Sequence, residues 1–137
     1  MQRECYEQVA LSTSSPQKSV LLLIEGLIRF ALQGKKAIEN RNPELANQRL
    51  QQAQEVAAYL EALVNPEAGE LAQMVKQLYA FVRRQLIEAN MRKDQNLIDD
   101  AVEIVGHLRD GWEKYCQANP LPQGTLTEKN TMSITAG

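Results

Sequence analysis

The sequence predicts an all-α protein, an antiparallel up-down-up-down four-helix bundle. Ala, Leu, Gln and Glu dominate the composition, and these residues favour helices. Three residue pairs, Ser15-Pro16, Asn42-Pro43 and Asn65-Pro66, each place a helix-capping residue before a proline suited to the first helical turn. The connections between the predicted helices are short, and short connections make neighbouring helices antiparallel.

The first helix is predicted over residues 16–40, and its apolar surface is unusually wide. On a helical wheel the apolar side chains cover an arc of roughly 200°, whereas a helix in a bundle needs only a little over 100°. Part of this helix is therefore expected to lie outside the four-helix core. Either an N-terminal covering segment of the chain or a partner helix could occupy the excess, and the pattern leaves both open.

Two glycines, Gly26 and Gly34, interrupt this first helix. A glycine costs a helix about 1 kcal/mol relative to alanine, so a packing advantage is expected at each position. Close approach of another helix could compensate for the cost, or Gly26 could leave room for a partner side chain. The sequence does not decide between these explanations.

The remaining helices are predicted over 43–64, 68–92 and 95–116. Each carries one apolar stripe spaced by threes and fours, which is typical of helices that pack on one another. Leu78 lies in the stripe of the third helix and is predicted to be a core residue. Residues 1–116 are expected to form one domain, and the prolines and small polar residues of 117–137 predict a mobile C-terminal tail.

Composition and charge narrow the functional classes. The chain of 137 residues is 44% hydrophobic with a net charge of −2, which gives no indication of a nucleic-acid partner. Its apolar runs are too short to insert across a membrane, and the opening "MQRECYEQ" lacks the apolar core of a signal peptide. A cytoplasmic protein is expected, with Cys5 and Cys116 as free thiols at the same end of the bundle.

The sequence predicts neither a catalytic site nor a metal or cofactor. His107 is the only histidine, and Glu103 lies four residues before it, whereas di-iron bundles use Glu-x-x-His. The two cysteines lack the Cys-x-x-Cys spacing of redox and zinc sites. A small enzyme or metal-binding helical bundle is the alternative from another class.

Three segments together resemble one known family. The stretch "TSSPQKSVLLLIEGLIRFALQGKKAIE" follows Tyr6, "GELAQMVKQLYAFVRRQLIEAN" covers the third helix, and "VEIVGHLRDGW" lies in the fourth. In their order and spacing, from about Tyr6 to Tyr115, they resemble the flagellar export chaperones of the FliS family. The resemblance implies an antiparallel bundle that acts as a chaperone.

The resemblance also implies a partner. Members of the family bind the C-terminal segment of flagellin, which becomes helical on the chaperone and is kept from premature polymerisation before export. The flagellar export gate is a further candidate partner, and the chain is expected to be a monomer or weak homodimer. A regulatory adaptor that binds a helix of another flagellar or secretion protein is the alternative.

The candidate partner-binding residues are Tyr6, Leu23, Leu27, Phe30 and Ala31. The four on the first helix follow from its wide apolar arc, and Tyr6 follows from the family's N-terminal tyrosine segment, which can cover part of the same surface. Deleting residues 1–12 is therefore expected to raise the affinity for flagellin. Leu27→Asp or Phe30→Asp is expected to weaken binding with less effect on folding than Leu78→Asp.

Overall fold

The computed structural model describes residues 16–120, and four α-helices make up most of that range. They are α1 (Pro16–Glu39), α2 (Pro43–Leu63), α3 (Glu70–Arg92) and α4 (Gln95–Ala118), with a 3₁₀ turn at Pro66–Ala68. The all-α prediction is confirmed, and each predicted helix boundary lies within two residues of the observed one. The predicted N-terminal covering segment, and the tail beyond residue 120, lie outside the described residues.

Capping side chains lie at the start of two helices and of the 3₁₀ turn. The side chain of Asn42 accepts a hydrogen bond from the Leu45 amide at 3.2 Å, and that of Asp94 accepts from the Asn96 amide at 2.9 Å. The side chain of Asn65 accepts from the Glu67 amide at 3.0 Å, but the turn that it begins is 3₁₀. Helix α3 therefore starts only after Gly69, two residues later than predicted.

The four helices pack in a closed ring. Helices α1 and α3 each pack against both α2 and α4. The side-chain amide of Gln17, at the start of α1, donates to the carbonyl of Asn119 at 2.8 Å, and the Trp112 indole N–H donates to the Gln17 carbonyl at 2.9 Å. The start of α1 and the end of α4 thus share one end of the bundle, as the up-down-up-down topology requires. Cys116 lies at this end, whereas Cys5 falls outside the described residues.

The core is built from all four helices, and α1 supplies much of it. The largest side chains that are almost completely inaccessible to solvent are Ile24, Leu27, Leu50, Leu60, Leu86, Ile98, Val56, Val82 and Val105. Burial of such side chains removes apolar surface from water and is the main favourable term in folding. None of the helices in residues 16–120 is long and apolar enough to cross a membrane.

Polar contacts hold α3 to α2. The Lys76 ammonium donates to the carbonyls of Glu61 at 2.7 Å and Val64 at 3.3 Å, at the end of α2. The Glu61 carbonyl also accepts from the Val64 amide at 3.3 Å. The Arg83 guanidinium contacts the Glu61 carboxylate at 3.1 Å. These contacts fix the last turn of α2 against the middle of α3.

The two glycines of α1 differ in their surroundings. A Cβ atom at Gly34 would lie 2.7 Å from Cγ and Cδ2 of Leu50, a side chain that is fully buried between α1 and α2. At Gly26 a Cβ would meet only Nη2 of Arg29, at 3.6 Å. Close helix approach therefore explains Gly34, whereas nothing in residues 16–120 requires a glycine at position 26.

We expect Gly34→Ala to destabilise the bundle by about 1–3 kcal/mol, because the added methyl group overpacks against Leu50. Gly26→Ala is the matched control and should raise the free energy of unfolding by up to about 1 kcal/mol. Urea denaturation of both variants measures the difference. Equal stability of the two variants would contradict the close α1–α2 contact.

Candidate partner-binding groove

An apolar groove of about 450 Å³ opens between α3 and α4. It lies at the end of the bundle that holds the start of α1. Its lining is almost entirely apolar and comprises Val20, Leu60, Leu63, Val64, Leu71, Ala72, Met74, Val75, Leu78, Tyr79, Ile104, His107, Leu108, Gly111, Trp112 and Tyr115. We call this set the α3–α4 groove.

The connection between α3 and α4 explains where the groove lies. Only Lys93 and Asp94 separate the two helices, and Lys93 has the left-handed conformation, with φ 51°, that ends many helices. The Asp94 amide donates to the Ala89 carbonyl at 3.0 Å and tightens this turn. The helices are therefore held together at that end, and the α3–α4 groove lies at the opposite end, where α3 begins and α4 finishes.

The α3 side of the groove exposes large apolar side chains to solvent. Leu71 is 69% exposed and Met74 is 53% exposed. Phe81, one turn beyond Leu78 on α3, is also exposed. Contiguous exposed apolar surface of this kind marks interaction sites in soluble proteins.

The α4 side of the groove is rigid. The Trp112 ring is fixed by its hydrogen bond to the Gln17 carbonyl. It stacks on Tyr115 with ring centroids 5.3 Å apart and an interplanar angle of 24°. Offset aromatic pairs of this geometry add stability beyond their buried area, so this wall keeps its shape in the free protein.

The structure corrects the expected positions of Leu27 and Leu78. Leu27 is only 1% exposed and belongs to the core, whereas Leu78 is half-buried and lines the α3–α4 groove. The wide apolar arc of α1 misled the prediction because α2 covers one flank of the arc and α4 covers the other. Arc width alone did not reveal this coverage.

The other candidate residues are not brought together on an accessible surface. Leu23 and Ala31 are buried in the core, and Phe30 is half-buried, packed against the core beneath the Arg29 guanidinium. Tyr6 lies outside the described residues. Leu22 and Leu32 are the large apolar side chains of α1 that are exposed. A role for the candidate residues in partner binding stays a prediction.

Sequence reasoning missed the groove although its residues belong to ordinary apolar stripes. Met74 and Phe81 widen the stripe of α3 beyond Leu71, Val75 and Leu78, and this widening was the available signal. Ile104 and Leu108 belong to the apolar stripe of the fourth helix, which was predicted to pack on the other helices. A groove depends on the separation of two helices, which the wheel of a single helix does not contain.

The metal-ligating and nucleophilic side chains named in the sequence analysis can be located in part. Within residues 16–120 no group of three His, Cys, Asp or Glu side chains could hold a metal ion. Burial, followed by the charge of Glu113, raises the pKa of the Cys116 thiol, which disfavours the reactive thiolate. His107 lies exposed at the groove.

A preformed apolar groove on a helical bundle suits the binding of an amphipathic helix, which lays its apolar face in the groove. The fold and the groove therefore define a helix-binding class of protein. Residues 1–119 match the family model described as flagellar protein FliS. The chain therefore belongs to the FliS family, and its members in several bacteria are named as flagellar secretion chaperones. The family suggested by the sequence is confirmed.

Individual relatives cover most of the chain. Flagellar secretion chaperone FliS of Vibrio cholerae is 31% identical over 116 residues, which is 81% of this chain and 85% of the relative. That of Bacillus subtilis is 28% identical over 113 residues, covering 82% and 84%. Flagellar secretion chaperone FliSB of Pseudomonas aeruginosa is 27% identical over 113 residues, covering 79% and 90%.

We expect Leu27→Asp to unfold the protein, because folding would bury an unpaired carboxylate at a cost comparable to the whole stability of a small domain. Leu78→Asp should cost only about 1 kcal/mol, since its carboxylate can reach water in the groove. Circular dichroism melts of both variants test this order. The prediction would be contradicted if Leu78→Asp were unfolded and Leu27→Asp were folded.

Burial raises the pKa of the Tyr79 phenol above its ordinary value of 10.0. The phenol therefore stays protonated in the folded state at pH values at which it ionises in the unfolded state. The contribution of Tyr79 to the free energy of unfolding is fully present below pH 10.0 and is lost as the pH rises above it. Between about pH 9 and about pH 11, we expect the free energy of unfolding to fall less in Tyr79→Phe than in the wild type. Parallel urea titrations measure this, and equal slopes would contradict it.

Proposed function

We propose that this chain is a cytoplasmic flagellar export chaperone that binds the C-terminal helical segment of flagellin. Binding prevents premature polymerisation of flagellin and supports its export. The observation that carries the proposal is the preformed apolar α3–α4 groove in a member of the FliS family. Family membership supports the chaperone role, and the groove supports a helical client.

The dimensions of the groove suit a client helix. On α3 its lining runs from Leu71 to Tyr79, and on α4 from Ile104 to Tyr115. At 1.5 Å per residue these stretches extend over about 12 Å and about 16 Å, which corresponds to two to three turns of a docked helix. A segment of that length presents three or four apolar side chains on one face.

The chemistry of the groove explains how a chaperone could keep such a client from assembling. A flagellin segment that assembles with other flagellins must carry apolar side chains on one face. Placing that face in the groove hides it from other copies. Ordering the segment as a helix costs conformational entropy, which lowers the net affinity and keeps the client releasable for export.

Helix α1 contributes to this binding surface chiefly through Val20, which lines the groove. Leu23, Leu27 and Ala31 lie in the core on the same helix and would act by supporting it. We propose that the N-terminal segment containing Tyr6 covers the apolar surface until the client arrives. Its competition would lower the apparent affinity by the fraction of chains in which the surface is covered.

Two exposed methionines of α3 allow a matched test. Met74 lines the groove, whereas Met91 is 76% exposed and lies outside it. We expect Met74→Asp to weaken binding of the C-terminal peptide of the same bacterium's flagellin at least about tenfold, because docking must desolvate the new carboxylate. Met91→Asp should bind like the wild type. Isothermal titration calorimetry with purified protein measures both.

The outcome that would contradict the proposal is equal affinity of the two variants, or absence of peptide binding to the wild type. Light scattering during the titration distinguishes another occupant of the groove. A homodimer that Met74→Asp disrupts and the peptide leaves intact would assign the groove to a second copy of the chain.

A further inference from the structure

Gly111 occupies a position in the groove wall that the fold itself does not explain. It lies in the last third of α4. Glycine is among the poorest helix formers at any position inside a helix. Apart from its chain neighbours Asp110 and Trp112 and the backbone of its own helix, a Cβ at this position would find nothing within 4 Å among residues 16–120. No close helix approach of the kind seen at Gly34 therefore requires glycine here.

The neighbours of Gly111 form a recognisable packing unit. Leu108, Gly111, Trp112 and Tyr115 stand at positions i, i+3, i+4 and i+7 of α4, and all four line the α3–α4 groove. Four residues at this spacing make the hole that receives one side chain of a facing helix in knobs-into-holes packing. No side chain of α3 comes within 4 Å of a Cβ at Gly111, because the open groove lies between α3 and this part of α4.

The hole is already formed in the free protein. Trp112 is fixed by its hydrogen bond to the Gln17 carbonyl and by its stacking on Tyr115. Leu108 packs against the core. Three corners are thus large and held in place, and the fourth corner has no side chain, which makes the hole deeper than one with four side chains.

We propose that the hole formed by Leu108, Gly111, Trp112 and Tyr115 receives one large apolar side chain of the client helix, and that Gly111 provides the room for it. The inference rests on the proposed function, because it assigns the client contact within the same groove. A large side chain is favoured over a small one because an empty corner beside a small residue would leave a void, which loses packing contacts.

Gly106 is a matched control on the same helix. It lies outside the groove lining. Apart from its two chain neighbours and its own helix backbone, a Cβ there would also find nothing within 4 Å among the described residues. Gly106→Ala and Gly111→Ala should therefore both raise the melting temperature by about 4 °C, since each replaces glycine in a helix. The two variants should differ in their affinity for the flagellin C-terminal peptide.

We expect Gly111→Ala to lower the affinity for the flagellin C-terminal peptide several-fold, and Gly111→Leu to lower it at least about tenfold, because the added atoms fill the hole. Gly106→Ala should bind like the wild type. Calorimetric titration of the full-length protein measures all three, and Gly111→Ala decides the matter should Gly111→Leu fail to fold.

An alanine scan of the peptide completes the test. One large apolar peptide residue should lose at least about tenfold in affinity on truncation against the wild type, and much less against Gly111→Leu, because the two changes remove the same contact. Independent, additive effects would overturn the inference, as would unchanged or higher affinity of Gly111→Ala. Wild-type protein that fails to bind the peptide would instead overturn the proposed function, and this inference with it.

Discussion

The burial of α1 is the constraint on which the rest of the bundle depends. Ile24 and Leu27 are almost completely inaccessible, and α1 is covered by α2 on one flank and α4 on the other. On the α2 side the Leu50 side chain lies so close to Gly34 that a Cβ there would come within 2.7 Å of it. On the α4 side Lys35 pairs with Asp99 at 2.8 Å. Helix α1 thus fixes the positions of both neighbours, and α3 closes the ring from the opposite side.

The groove follows from that arrangement together with the unequal connections of α3 and α4. At one end the two helices are joined through Lys93 and Asp94 alone. At the other end each is anchored to a different neighbour: α3 to α2 through Lys76, and α4 to α1 through Trp112. Between those anchors the groove stays open, and Leu71 and Met74 remain exposed to solvent. Trp112 consequently has two roles, since its ring joins α4 to α1 and also lines the groove.

Local chemistry made the helices predictable, and long-range geometry made the groove hard to predict. Asn42 marks a helix start in the sequence because a capping side chain acts within three residues of its own position. Leu27 and Leu78 were assigned the wrong surroundings because burial depends on which helices stand on either side, and a wheel shows only one helix. Gly26 and Gly34 looked alike in sequence for the same reason, since only the position of Leu50 distinguishes them. The family resemblance was confirmed, because it depends on the order of several segments along the chain and not on the surroundings of one residue.

The two-residue α3–α4 turn also bears on the width of the groove at the far end of the two helices. Helix α3 has 23 residues, so its first residue lies about 35 Å from the turn, and a tilt of about 3° at the turn would displace that residue by about 2 Å. A displacement of this size is comparable to the width of a methyl group. The bonds from Lys76 to the carbonyls of Glu61 and Val64 oppose such a tilt, because they hold the first half of α3 against α2. The width of the groove therefore depends on contacts at both ends of α3.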